Sequence, residues 1–579
     1  MDFSGADWIE LGLAVLLAGL AWITRPFLEP WAARLAERTR WCMLALAAAP
    51  IALRLALLPR HPVPVPNIYD EFAHLLVADT VRHFRLANPV HPLHRFFETF
   101  FTLQEPSYSS IYPLGPGLAM ACGRAIFGTP WAAVLLGTAA FCALCYWMLR
   151  AWTTPLWALI GGVLAVIEFG PLSEWTNTYW GGSLAACAGC LVFGALPRLL
   201  AAGRKRDAAL LGAGLGVHLL TRPYESIFLL VAVILFFVPV WREGRARALL
   251  KIGGVAALAT LPALMLMLLQ NKQVTGSWTM LPYSLSQQQY GVPASFTFQA
   301  APVPQRELTL QQALEYRSQM SYRERNGETL LSYLLRLEYR VRYYRFFVLP
   351  ALYLALPFFF LSLREYRFVW VALTLAIFAL GANFYPFFYP HYIAALTCLF
   401  VLVSVTGLRQ LSRLSIATGR EARTGPARPI ERSGIKEPPA EPDSVVRAGS
   451  KEAAWIILAL CGAHFILWYG LHLFDPLEML SFETWDVINH AANSERRAGV
   501  QQKLASQPRQ QLVIVRYSPR HIFQEEWVYN EADIDAARVV WARDLGPEQD
   551  QELLRYYPGR TPWLLEPDAQ PPRLTPYRQ

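Results

Sequence analysis

The chain has 579 residues, of which 54% are apolar and only 16% are charged, with a formal net charge of +9. The charges are crowded into short stretches that leave long runs of Ala, Leu, Val, Phe and Trp, and this composition excludes an ordinary soluble domain. Basic residues in such a chain are first of all markers of membrane topology, so the positive charge does not predict a nucleic-acid partner.

Apolar runs long enough to cross a bilayer as helices recur along most of the chain. They predict an all-α polytopic membrane protein with about 12 transmembrane helices. The first run is treated as a retained helix, because Asp2, Asp7 and Glu10 flank it where a signal peptide would carry basic residues. The predicted spans are 9–24, 41–58, 131–150, 156–172, 181–199, 207–222, 225–241, 251–270, 345–363, 367–382, 391–408 and 453–473.

The basic clusters determine how these spans are threaded. The positive-inside rule assigns all of them to the cytoplasm, and one threading satisfies them with both termini outside. The apolar segment 112–128 is short and contains Arg124, and counting it as a crossing would place 198–206 outside, so we predict an interfacial helix there. The clusters are 25–40, 198–206, 242–251, 364–367 and 409–451.

The threading divides the chain into five parts. The stretch 409–452 is rich in Pro, Arg, Glu and Ser and predicts a disordered linker. Strand-like and helix-like runs alternate in the tail, at 491–504, 512–516, 538–542, 549–556 and 563–565, which predicts a small C-terminal α/β domain. The parts are an N-terminal extra helix and cytoplasmic turn (1–40), a transmembrane module (41–408) with outer loops 59–130 and 271–344, the cytoplasmic linker (409–452), a last transmembrane helix (453–474) and an extracytoplasmic domain (475–579).

All eight cysteines lie in apolar segments. Two pairs, Cys142 with Cys145 and Cys187 with Cys190, have the C-x-x-C spacing of zinc or redox sites. Within membrane helices the same spacing is more typical of buried thiols, and we predict no cysteine chemistry.

The first outer loop contains the strongest candidate for chemistry, Asp70 and Glu71 at the start of a predicted helix. Helical spacing places Asp70 and His74 on one face. The spacing alone favours the simpler explanation, two carboxylates that only stabilise a helix N-terminus. Another face, predicted to lie against the membrane, consists of Phe72, Leu75 and Leu76.

Short motifs follow Asp70-Glu71 on the predicted outer side, and together they resemble those of the GT-C glycosyltransferases over roughly residues 41–408. This superfamily includes protein O-mannosyltransferases and lipid A aminoarabinose transferases. The whole chain looks like a bacterial branch with a tail similar to Glu525–Asp535 and Glu566–Asp568. The motifs are Ser110–Pro116, Phe127–Trp131, Tyr179–Gly182, Thr221–Tyr224, Val274–Gly276, Pro282-Tyr283, Tyr290-Gly291 and Tyr389–Tyr392.

The resemblance implies an inverting glycosyltransferase of the bacterial inner membrane. It would move a sugar from a polyprenyl-phosphate carrier to a lipid, glycan or protein acceptor on the extracytoplasmic side, with no nucleic-acid partner. Asp70 is the candidate catalytic base, and outer cations would stabilise the departing phosphate. Each cation also has a structural explanation, such as snorkelling or helix capping. The candidate substrate-binding residues are Glu71, His74, Tyr112, Arg222, Lys272, Arg345, His391 and Tyr392.

The sequence departs from the family pattern at two places. Ile111 stands where the aminoarabinose branch has a lysine, so the cation for the phosphate must come from elsewhere. The second outer turn has Glu174 and Asn177 in place of a Thr-Asp pair, which leaves a second catalytic carboxylate open. Some branches use a divalent cation, but no acidic motif here predicts a metal site or another cofactor.

The main alternative is a polytopic transporter or lipid flippase with an extracytoplasmic accessory domain. Transporters place interrupted helices and ionisable groups near the midplane, often in repeated halves, whereas the polar residues here gather on one face. A sensory tail with a membrane anchor is a third alternative, although a dozen or so spans exceed what anchoring requires.

Overall fold

The structure is a computed structural model, and it describes residues 5–66, 68–244, 246–323, 327–414, 450–474, 492–523 and 525–577. Most of the predicted linker therefore lies outside the described residues, as do residues 475–491 of the tail. The first half of the chain forms α1 (Gly5–Ala36), α2 (Thr39–Ala56), α3 (Tyr69–Arg82), α4 (Leu114–Phe127), α5 (Trp131–Leu149), α6 (Pro155–Phe169), α7 (Glu174–Asn177), α8 (Ser183–Ala202) and α9 (Lys205–Leu219). A 3-10 turn (His94–Phe97) and a short hairpin, β1 (Thr102–Leu103) with β2 (Ser109–Ser110), lie between α3 and α4.

The second half continues the helical bundle. Its helices are α10 (Pro223–Phe236), α11 (Val238–Arg242), α12 (Ala246–Thr275), α13 (Pro282–Tyr290), α14 (Leu310–Ser321), α15 (Leu330–Val341), α16 (Tyr366–Ala382), α17 (Thr397–Leu411) and α18 (Ser450–Phe474). The 3-10 segments are Arg342–Phe347, Pro350–Leu354, Leu356–Ser362 and Pro390–Leu396.

Among the described helices, seven are long and apolar enough to cross a membrane: α1, α2, α5, α8, most of α12, α17 with the preceding 3-10 segment, and α18. Shorter apolar helices are α4, α6, α10 and α16. An α-helix lies at each predicted span except 345–363, where 3-10 segments replace it. Pro350 and Pro357 lie inside that span, and proline removes a backbone donor and breaks an α-helix. The predicted multi-pass helical membrane protein is confirmed.

The C-terminal α/β domain is also confirmed. It consists of α19 (Ala492–Ala505), β3 (Gln511–Val515), β4 (Val539–Arg543), α20 (Pro547–Tyr556), β5 (Thr561–Glu566) and β6 (Arg573–Pro576). The strand order is β4-β3-β5-β6, in which β3 is parallel to β4 and β5 while β6 is antiparallel. All five residues of β3 are buried, as expected for the central strand of a parallel sheet.

Small residues bring the outer helices close together. Gly115 N donates to Leu220 O at 2.8 Å, and a Cβ on Gly115 would lie 2.7 Å from the same oxygen. A Cβ on Gly117 would lie 2.3 Å from Val77 Cγ1. These contacts hold α4 against α3 and against the end of α9, as small residues do between membrane helices.

A second close contact positions the 3-10 segment Pro390–Leu396. Gly189 in α8 lies against its backbone, and an added Cβ would lie only 1.9 Å from Ala395 O. Only glycine allows this approach. The last turn of the 3-10 segment is thereby held against α8.

Arg54, a charge inside the second span, is fully satisfied within the bundle. It is 1% exposed, and its Nε donates to Asn177 Oδ1 at 2.8 Å. Its two terminal nitrogens donate to the carbonyl oxygens of His61 and Pro62 at 2.9 and 3.0 Å, and the guanidinium lies over Trp131. A buried charge needs such partners to be tolerated.

The predicted membrane-facing side of α3 is wrong. Phe72 stacks on Tyr529 of the C-terminal domain, with ring centroids 4.3 Å apart. Leu76 belongs to a core shared with that domain, and Leu75 packs beside Trp131 and Met120. An apolar face is buried equally well by lipid or by protein, so its composition did not distinguish the two.

Candidate functional site

The Glu71 side chain accepts hydrogen bonds from two backbone N–H groups. It lies in the first turn of α3 and is 3% exposed. Its Oε2 accepts from Ile68 N at 3.3 Å, and its Oε1 accepts from Tyr179 N at 2.9 Å, in the turn before α8. Both carboxylate oxygens thus hold backbone groups of the protein, and the substrate contact of Glu71 stays a prediction.

Asp70 immediately precedes Glu71 on the same turn and contacts a different set of groups. The hydroxyl of Tyr112, just before α4, donates a hydrogen bond to Asp70 Oδ1. Burial raises the pKa of Asp70 to about 7; the Tyr112 hydrogen bond opposes this, while the nearby Glu315 and Glu71 add to it. A carboxyl with such a pKa exchanges its proton near neutral pH, as a general base should.

His74 follows Asp70 by one helical turn and packs on the same tyrosine. The rings of His74 and Tyr112 are stacked with centroids 4.2 Å apart. His74 is buried, and its Nδ1 has no hydrogen-bond partner among the described residues. Burial, with a further contribution from Arg222, lowers the pKa of His74 to about 3, so the imidazole is neutral at neutral pH.

Arg222, in the turn between α9 and α10, places a positive charge near His74. It is half-buried, and its guanidinium lies 4.5 Å from the centre of the Tyr392 ring. His391 packs on Tyr392 with ring centroids 4.8 Å apart, and its Nδ1 makes no hydrogen bond to the described residues. His391 and His74 both lie within electrostatic range of Arg222.

Tyrosines surround the Asp70 carboxylate. Burial first, and the charge of Asp70 in addition, raise the pKa of Tyr69 well above its usual value and that of Tyr389 to about 12. The hydroxyl of Tyr385 is hydrogen-bonded to that of Tyr283. We call this cluster of side chains the Asp70 chamber. Its central residues are Asp70, His74, Tyr112, Arg222, His391 and Tyr392, and the surrounding residues are Tyr69, Tyr385, Tyr389, Tyr529 and Glu315.

Glu315 also lies near Asp70, and it is not among the residues predicted from the sequence. It lies on α14 in the second outer loop, is 3% exposed, and accepts hydrogen bonds from Tyr69 at 3.3 Å and Gln319 at 2.5 Å. Its pKa is raised by burial. The capping box of Thr309 and Gln312 signals the start of α14, and Glu315 then shares one face with Gln311 and Gln319. A polar face with this spacing is the feature of the sequence that could have indicated Glu315.

The second outer turn contains two residues with different surroundings. Asn177 accepts from Arg54 and donates to the carbonyls of Pro171 and Ser173, so it stabilises the turn. Glu174 is buried, and its Oε1 has no hydrogen-bond partner in the described ranges. Burial raises the pKa of Glu174 to about 7, and it lies within electrostatic range of Tyr389.

Two predicted cations are at the surface. Lys272 is exposed near the end of α12, and its Nζ donates to Gly276 O at 2.7 Å, four residues along the chain. Arg345 is exposed on the 3-10 segment Arg342–Phe347. Neither is among the residues that surround Asp70, whereas His74, Tyr112, Arg222, His391 and Tyr392 lie together near it. Over the described residues, no three His, Cys, Asp or Glu side chains are grouped as metal ligands.

No protein-family model matches the chain, and no curated protein matches it. Among solved structures it is similar to apo ArnT from Cupriavidus metallidurans, with 13% identity, a TM-score of 0.48 and coverage of 92% of this chain and 93% of that one. ArnT bound to undecaprenyl phosphate matches with 13% identity and a TM-score of 0.46, covering 91% and 93%. The Archaeoglobus fulgidus oligosaccharyltransferase, in complex with Zn and sulfate, matches with 12% identity and a TM-score of 0.47, covering 91% and 67%. These proteins belong to the GT-C class that the sequence resembles.

Proposed function

We propose that the chain is an inverting glycosyltransferase that moves a sugar from a polyprenyl-phosphate carrier to an acceptor on the extracytoplasmic side of the membrane. One observation supports this most directly. A carboxylate with a pKa of about 7 and a half-buried guanidinium lie in one chamber, joined by Tyr112, His74 and Tyr392. The chamber thus offers a base and an anion site, the two groups that such a transfer requires.

Asp70 is the proposed base. It takes the proton of an acceptor hydroxyl while the hydroxyl oxygen attacks the anomeric carbon from the face opposite the phosphate. The bond from the anomeric carbon to the phosphate oxygen breaks, and the phosphate leaves with the electron pair. A single displacement of this kind inverts the anomeric centre and needs one carboxylate, so Glu71 remains available for its backbone contacts.

Arg222 is the proposed cation for the departing phosphate. Its guanidinium is held over Tyr392, and a guanidinium can donate two parallel hydrogen bonds to a phosphate. The neutral imidazoles of His74 and His391 each have an Nδ1 without a partner in the described chain, and either can add a donor once the anion is present. The negative charge that develops on the phosphate would be stabilised in a buried place, where such contacts are strongest.

Topology supports the extracytoplasmic side. The chamber is built from the loops that follow α2, α9 and α12 and from the start of the 3-10 segment before α17. The basic clusters at 198–206 and 364–367 lie at the other ends of the helices that lead to these loops. By the positive-inside rule the chamber then faces away from the cytoplasm.

The test has a binding arm and a transfer arm. The protein is purified with its native lipids, and mass spectrometry is expected to identify a bound polyprenyl phosphate or its sugar-loaded form. Asp70→Asn is expected to keep the bound carrier and lose transfer. The matched control is Glu307→Gln, the same carboxylate-to-amide change at a side chain that is 82% exposed. An ion-coupled solute flux with no bound carrier, or full transfer by Asp70→Asn, would contradict the proposal.

A further inference from the structure

The C-terminal domain and the first outer loop share one hydrophobic core. Leu512 and Ile514 of β3 and Val540 of β4 pack with Leu76 of α3 and with Phe97 of the 3-10 turn. A domain that bound substrate independently would bury such residues within itself. Here a face of its sheet is covered by the loop that carries Asp70.

α3 therefore has two opposed contact stripes. Asp70 and His74 face the chamber, whereas Phe72, Leu76 and Asp79 contact the C-terminal domain. Asp79 Oδ2 accepts from the backbone N–H of Ala532 at 2.8 Å. The helix is thus held on one side by the domain and presents the base on the other.

Tyr529 brings the domain to the wall of the chamber. Its ring stacks on Phe72, two residues from Asp70, and it lies within electrostatic range of Asp70. Arg497 of α19 supports this contact, since its guanidinium lies 4.6 Å from the centre of the Phe72 ring. The same guanidinium donates to the carbonyl oxygens of Trp527 and Tyr529 at 3.1 and 3.2 Å.

Arg543, the last residue of β4, joins the domain to both outer loops. Its side chain is 4% exposed and is paired with Glu526 of the domain, which is 1% exposed. Its Nε donates to Glu98 O in the first outer loop at 2.5 Å, and a terminal nitrogen donates to Gln311 Oε1 on α14 at 2.9 Å. Gln311 precedes Glu315 by one helical turn, so Arg543 connects both carboxylate-bearing loops through one side chain.

We infer that the C-terminal domain is a fixed part of the catalytic chamber, and that Arg543 is the positioning residue that holds the first outer loop, at Glu98, and α14, at Gln311, so that Glu315 stays within electrostatic range of Asp70. The expected effect on transfer rests on the proposed function, whereas the docking contacts do not. Undocking the domain would move α14 away from Asp70 and admit water to the chamber. Both changes favour the ionised carboxylate, and displacement of the base slows transfer.

The test uses the full-length chain and a double variant, Arg543→Met with Glu526→Gln. Replacing both members of the buried pair leaves no uncompensated charge, so the domain can fold, while the contacts to Glu98 and Gln311 are lost. Arg516→Gln is the control, because Arg516 pairs with Asp544 on an exposed side of the same domain. Hydrogen exchange of 69–82, 310–321 and 511–515 is measured together with the pH profile of transfer.

We expect exchange in 69–82 and 310–321 to increase in the double variant while 511–515 stays protected. kcat is expected to fall by about tenfold to a hundredfold, and the acidic limb of the pH profile to move to lower pH. The control is expected to resemble the unmodified protein in every measurement. Increased exchange in a protein that transfers no sugar from any polyprenyl phosphate would leave the docking inference standing and overturn the proposed function instead.

Two outcomes would overturn the positioning role. One is unmodified exchange, rate and pH profile in the double variant. The other is a reduced rate with an unmoved acidic limb and loss of protection in 511–515, because that pattern describes an unfolded domain.

Discussion

Tyr112 joins the proposed base to the proposed anion site, since its hydroxyl donates to Asp70 and its ring stacks on His74. The backbone of Tyr112 is itself held by Gln270 of α12, whose Nε2 donates to Tyr112 O at 3.0 Å. A single side chain from the turn before α4 thus contacts both the carboxylate and the imidazole. Its two roles can be separated by experiment.

Replacing Tyr112 by Phe is expected to move the acidic limb of the pH profile upward. Asp70 acts when ionised, so transfer should rise with pH through about 7 in the unmodified protein. The Tyr112 hydroxyl favours the ionised carboxylate, and its removal raises the pKa further. The variant should therefore be slower by up to about tenfold near pH 6 and approach the unmodified rate at high pH.

The control for this change is Tyr333→Phe, because the Tyr333 hydroxyl donates to Leu380 O at 2.6 Å. It should leave the profile unchanged. A Tyr112→Phe profile that is lowered equally at every pH would show that the hydroxyl does not tune the base, since ring stacking on His74 is preserved.

Glu315→Gln is expected to move the same limb in the opposite direction. The negative charge of Glu315 contributes to the raised pKa of Asp70. Without that charge the carboxyl ionises at lower pH, and transfer below neutral pH should increase relative to its plateau. The measurement is the ratio of rates at two pH values for both proteins. An unchanged ratio would mean that the two carboxyls do not interact.

Most of the bundle and the sheet could be predicted because apolar runs and strand-length alternation depend on local sequence. The strand run Leu512–Arg516 became β3 almost unchanged. The Asp70 chamber was only partly predictable. Arg222 and Lys272 look alike as cations at helix ends, and only the tertiary contacts show that Arg222 lies over Tyr392 while Lys272 bonds its own helix end.

Contacts between residues far apart along the chain could not be predicted from the sequence. Tyr69 donates a hydrogen bond to Glu315, and Tyr529 stacks on Phe72, although the members of each pair are far apart along the chain. No periodicity encodes such pairs, because each helix or strand places its own residues on faces without specifying which face it will meet.

Arg222 and Lys272 allow a half-buried cation near Asp70 to be compared with an exposed one. Arg222→Gln is expected to raise KM for the polyprenyl-phosphate donor and lower kcat/KM by about tenfold to a hundredfold, the value of a charge-assisted hydrogen bond. Lys272→Gln should leave both constants unchanged, because its ammonium is exposed and bonds Gly276. Equal effects of the two changes would place the phosphate away from Arg222, at the surface.

Arg54 allows a prediction about stability that is independent of catalysis. Arg54→Gln would leave the carbonyl oxygens of His61 and Pro62 without their donors inside the bundle. An unsatisfied buried group costs about 1–3 kcal/mol, and these carbonyls are partly buried, so the unfolding temperature in detergent should fall. Arg60→Gln is the control, because Arg60 is exposed at the end of the same segment. Equal unfolding temperatures for the two variants would mean that water replaces the lost donors at the end of α2, and that the bonds from the Asn177 side-chain amide to Pro171 O and Ser173 O suffice to hold the turn.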